Sequence, residues 1–172
     1  KGVYSEVIFR QFGKKWGGSQ ESDFSEWLSD QQYYLSAGLN HTWIISNLVR
    51  WRQGEVPFYE SFEAGGANSF RPWMPGPERS AESELLASFE YRWTWIPKTT
   101  YQFPLLDVPS YWGLQPVVGL DLVNLWSQDA RGDVSALGYY GGIHVMVPAL
   151  NRIRIEVANE FDRNNWVLQI GI

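Results

Sequence analysis

The 172 residues carry 14 Lys and Arg against 19 Asp and Glu, and this net charge of −5 supplies no basic field for nucleic acid. Cysteine is absent, which removes disulfides and thiolate metal sites. Aromatics make up 16% of the chain, ten of them Trp, yet the mean hydropathy is −0.30. That pairing suits alternating apolar and polar positions better than one continuous apolar core. No run approaches the ~18 apolar residues of a membrane helix, but barrel strands cross a bilayer with roughly 9–11 residues each. Length predicts one domain spanning residues 1–172.

In chain order, a period of two predicts strands at about Val3–Phe12, Gln31–Leu39, Thr42–Arg52, Leu85–Trp95, Gln115–Trp126, Val134–Val147, Ile153–Phe161 and Trp166–Ile172. Leu85, Ala87, Phe89, Tyr91, Trp93 and Trp95 share one face, with Leu86, Ser88, Glu90, Arg92 and Thr94 on the other. Ile153, Ile155 and Val157 alternate with Arg152, Arg154, Glu156, Ala158 and Glu160 in the same way. Short turns at Gly38–His41 and Pro148–Asn151 swap with longer polar connections at Gly13–Asp30 and Gly54–Glu84. Pro97–Trp112 breaks the rhythm by being long where a short turn is expected.

Alternation alone does not say which face meets water. A soluble β-barrel turns its apolar face inward, and a membrane barrel turns it outward to lipid. Trp43, Trp51, Trp93, Trp95, Trp112, Trp126, Phe161 and Trp166 fall near strand ends, where interfacial girdles form. A soluble ligand-binding barrel stays as an alternative.

The stretch Pro57-Phe58-Tyr59-Glu60-Ser61-Phe62-Glu63-Ala64-Gly65-Gly66, continuing to Phe70-Arg71-Pro72-Trp73, closely resembles the long external loop of the bacterial surface-antigen family. These are the BamA/TamA-like outer-membrane assembly and secretion pores. Ser88-Phe89-Glu90-Tyr91 and Gly119-Leu120-Asp121-Leu122-Val123-Asn124-Leu125-Trp126 stand, in order, where the family has its two following strand motifs. The chain looks like the last eight strands of a family barrel that normally has sixteen, with no POTRA repeat within it.

The resemblance implies an all-β, antiparallel up-and-down transmembrane β-barrel of about eight strands with a long in-folded external loop. It also implies a bacterial outer-membrane location and a part in inserting or translocating outer-membrane proteins. Arg71 is expected to pair with Glu90 and Asp121, locking the loop to the barrel wall, with Gly65 and Gly66 making the inward turn. Phe70, Pro72 and Trp73 complete the loop tip. Pro72 departs from the family's Gly; it fixes its own φ and biases Arg71 toward extended backbone, so the tip is expected to sit differently. Outer-membrane lipid is the expected partner, with client or partner barrels at the edge strands, or a second copy of the chain.

An eight-stranded barrel is only wide enough to be filled by side chains, here Glu6, Arg10, Arg50, Arg92, Arg152, Arg154, Glu156 and Glu160. A structural or interaction barrel without transport is therefore a further alternative. No enzyme, metal or cofactor is expected. His144 reads as a luminal hydrogen-bonding group, and Ser135 falls on the opposite face of its strand. Glu60 and Glu63 read as solvated loop charge, and Arg131-Gly132-Asp133 is too short a match to carry an adhesion reading.

Overall fold

The period-two segments pair with one another in chain order. The computed structural model describes residues 1–13, 23–102, 109–127, 132–147 and 152–172. Its strands are β1 (Gly2–Phe12), β2 (Asp23–Ser36), β3 (His41–Glu55), β4 (Phe62–Glu63), β5 (Ser80–Ala81) and β6 (Ser83–Trp93). They continue as β7 (Ile96–Gln102), β8 (Pro109–Trp126), β9 (Val134–Met146), β10 (Ile153–Glu160) and β11 (Val167–Gly171). One antiparallel sheet runs β1-β2-β3-β6-β8-β9-β10-β11, with β7 also paired to β8. The short β4–β5 ribbon belongs to the connection between β3 and β6.

Two elements differ from the sequence expectation. β2 starts at Asp23, so much of the stretch expected as a loop is paired, with Phe9 opposite Trp27 and Phe12 opposite Phe24. Within Pro97–Trp112, β7 and the start of β8 form a hairpin that prolongs the β6–β8 pairing. Parts of four expected connections (14–22, 103–108, 148–151 and Arg131) lie outside the described residues.

The sheet's polarity is the reverse of a water-soluble β-sheet. Val7, Phe9, Trp27, Trp51, Phe89, Trp93, Val118, Leu137, Ile155, Val157, Leu168 and Ile170 are all exposed, Ile170 to 67%. The opposite face buries Glu26, Arg52, Glu84, Glu90, Asp121, His144, Arg154, Glu156 and Gln169, with Glu156 at 0%. Ala64, Phe70, Trp73 and Ala81 from the β3–β6 connection pack with Val123, Leu125 and Ala136 as an apolar cluster on that same charged face.

The charged face is concave. β6 and β10 are three strand spacings apart, roughly 14 Å in a flat sheet, yet Arg71 alone bonds to both. Among the described residues, β1 pairs only with β2 and β11 only with β10, so the curved sheet keeps two free edges and does not close on itself.

Gly138 lets the loop sit down on the sheet. A Cβ there would come within 2.3 Å of the Pro72 ring and 2.8 Å of the Asn159 carbonyl oxygen. Gly138→Val should therefore destabilise the protein by about 1–3 kcal/mol through overpacking, read as a lower midpoint in chemical unfolding.

Candidate functional site: an arginine lock on the concave face

The connection from β3 to β6 cannot continue either strand. Pro57, Pro72, Pro75 and Pro77 interrupt it, removing backbone donors. Gly65 and Gly66 adopt φ of +133° and +90°, conformations that side chains disfavour. The turn is closed by the N–H of Gly66 donating to the Trp73 carbonyl at 2.8 Å and that of Trp73 donating to Phe70 at 3.1 Å. Phe70 and Trp73 meet edge to face at 4.7 Å inside the apolar cluster. Anchored this way, the turn points Arg71 into the sheet.

Arg71 uses its whole guanidinium. Nη1 donates to both oxygens of Asp121 at 2.7 and 2.9 Å, Nη2 to Glu90 at 3.3 Å, and Nε to Glu156 at 2.9 Å. Its plane lies 3.8 Å from the centre of the Tyr140 ring, and the Tyr140 hydroxyl donates to Glu90 at 2.8 Å. Burial opposes the charge on Arg71, but Asp121, followed by Tyr140, Glu156 and Glu90, outweighs it and holds the guanidinium above its ordinary value. The excess of carboxylates is relieved at the margins, where Arg92 reaches Glu90 and the Nε2 of His144 lies 2.6 Å from Glu156.

Further contacts fix the loop along its length. The Gln169 side chain donates to the carbonyls of Arg71 and Trp73 at 2.9 and 3.1 Å. Trp73 Nε1 donates to Glu160 at 3.0 Å, and Arg154 donates to the Ala67 carbonyl at 2.9 Å and to Asn68. Nearer the start of the loop, Arg52 pairs with Glu26, donates to the Glu60 carbonyl and lies 3.9 Å from the centre of the Phe62 ring. The loop is thus held from β3 to β11.

The structure brings the expected trio Arg71, Glu90 and Asp121 together. Pro72 leaves Arg71 in reach of the wall, because its ring seats over Gly138. Glu156, Tyr140 and Gln169 were not among the expected lock residues, nor was the Arg52–Glu26 pair. Strand parity did put Glu156 on the inner face, and that was the one signal available for it. Glu60 keeps an exposed carboxylate, 3.8 Å from Arg52, while its backbone carbonyl receives the Arg52 guanidinium. His144 makes the inner hydrogen bond expected of it.

The ligand atoms of Glu90, His144 and Glu156 lie within 4.8 Å of one another, a spacing that would suit a metal ion. Both carboxylates are already engaged by Arg71, so a cation there would have to displace a guanidinium. We assign no metal to the cluster. Compared with known protein families and with curated proteins, the sequence matches none.

Removing Arg71 would strand three carboxylates in a buried site. Arg71→Ala should lower stability by about 3–5 kcal/mol, and Arg71→Lys should recover only part of it, because an ammonium lacks the planar fork. A double-mutant cycle with Asp121→Asn should show clear non-additivity in denaturant titrations.

Proposed function

We propose that the chain forms wall and in-folded loop of a bacterial outer-membrane β-barrel, related to the assembly and secretion pores it resembles. The observation that carries this reading is the inverted polarity: apolar side chains exposed along strand after strand, ion pairs and amides buried on the other face. In water such a sheet would expose far more apolar surface than a soluble protein tolerates. In a bilayer the same arrangement is the stable one, with lipid outside and charge within.

The ring is wider than eight strands. An eight-stranded barrel has room for side chains alone, whereas this concave face holds the β3–β6 loop and an open cavity beside it. The free edges of β1 and β11 run antiparallel to each other along the strand order, so each is oriented to accept an antiparallel neighbour. Strands of the same polypeptide, or of a second copy, would complete the ring there.

The resemblance implies a role in inserting or translocating outer-membrane proteins. A specific observation favours a second reading, a structural or interaction module without transport. The loop lies on the concave face and is held there by Arg52, Arg71, Trp73 and Gln169.

Phase partitioning and planar-bilayer recording test both levels. The purified chain should enter the detergent phase and need detergent to stay monodisperse. A chain that is monodisperse in plain buffer would contradict the membrane reading. Wild type should be nearly silent in a planar bilayer, and Arg71→Ala should raise conductance several-fold by freeing the loop. Equal silence of both would favour the module without transport.

A further inference from the structure

Beside the lock, the concave face holds an open cavity of about 320 Å³ that the Arg71 cluster does not fill. Gln32, Tyr34 and Ser46, on β2 and β3, line one side, and Arg92, Arg152 and Arg154, on β6 and at the start of β10, line the other. Arg92 and Arg152 differ from Arg71 in being poorly matched. Arg152 makes no hydrogen bond or ion pair with any described residue. Arg154 lines the same side, but its Nη groups already hold the Ala67 carbonyl and Asn68. Arg92 gives only its Nε–H, to Glu90, among the described residues. Burial, together with the like charges of Arg92 and Arg154, holds the Arg152 guanidinium below its ordinary value.

Unspent guanidinium donors gathered at one cavity wall are a receptor for an oxyanion, which accepts several N–H groups at once. The facing wall asks for something different. The Tyr34 hydroxyl is held by Gln32 at 2.7 Å, Ser46 offers a hydroxyl, and Asp30 adds an acceptor. Groups of this kind bind hydroxyls. The volume falls at the small end of ligand sites, roughly 300–1,000 Å³, which suits a monosaccharide-sized body. We propose that this cavity binds a small phosphorylated sugar, its phosphate taken by Arg92 and Arg152 and its hydroxyls by Gln32, Tyr34 and Ser46. The inference goes beyond the membrane reading and does not rest on it, because it uses concave-face residues only.

Calorimetric titration of the full chain, held in detergent, with glucose 6-phosphate, inorganic phosphate and glucose tests the assignment. Glucose 6-phosphate should bind saturably, inorganic phosphate more weakly, and glucose without measurable heat. Arg152→Gln should weaken glucose 6-phosphate binding by about tenfold or more. Its unfolding midpoint and detergent partitioning should stay at wild-type values, since Arg152 holds no contact of the fold. Absence of binding by either anion, or undiminished binding by Arg152→Gln, would overturn the site. Equal affinity for phosphate and glucose 6-phosphate would overturn the hydroxyl-binding role of the far wall.

Discussion

A guanidinium removed from water has to be matched both in charge and in hydrogen bonds, or its burial is ruinous. Arg71 meets that demand with three carboxylates supplied by three strands, Glu90 on β6, Asp121 on β8 and Glu156 on β10. The consequence runs in both directions. The carboxylates can be buried only because the loop brings Arg71 to them, and the loop can lie on the sheet only because its charge is accepted there. Curvature follows from the same contact, because one side chain spans three strand spacings. What this network contributes above all is specificity of placement, since a buried ion cluster is a poor source of net stability compared with apolar packing.

Around that cluster the rest of the concave face is arranged in two zones. Apolar packing of Phe70 and Trp73 with Val123, Leu125 and Ala136 fixes the loop on one side. On the other, polar and cationic side chains surround open space. Meanwhile the convex face carries exposed aliphatic and aromatic residues along the long strands. A sheet of this kind is complementary to hydrocarbon on one face and to charge on the other. Its two free edges fall at β1 and β11, the points where hydrogen-bonding capacity remains unused.

Much of this was legible in the sequence. In Ile153–Val157 apolar and charged residues alternate one by one, so both the strand and its faces follow from parity. In Asp23–Asp30 they do not: Phe24, Glu26 and Leu28 alternate with Ser25, Trp27 and Ser29, so each face is chemically mixed and the period has no contrast. Missing that strand also hid the partner of Arg52, because Glu26 read as part of a loop. Motif order brought Arg71, Glu90 and Asp121 together ahead of any geometry. Parity set Glu156 on the inner face but could not say that β10 curls within reach of Arg71, since curvature depends on the bulk the sheet wraps around. Pro72 was read as a disturbance, but the absent side chain at Gly138, on a strand distant in sequence, makes room for it.

The account turns on whether the apolar face meets lipid, and site-directed spin labelling answers that most directly. The chain has no native cysteine, so single labels can be placed without background. Labels at residues 153 to 160 of β10, in lipid vesicles, would be scored for collision with oxygen and with a water-soluble nickel complex. The account predicts a period of two, with positions 155 and 157 accessible to oxygen and shielded from nickel, and positions 154 and 156 shielded from both. Nickel accessibility at 155 and 157 equal to that of a water-exposed loop would contradict it.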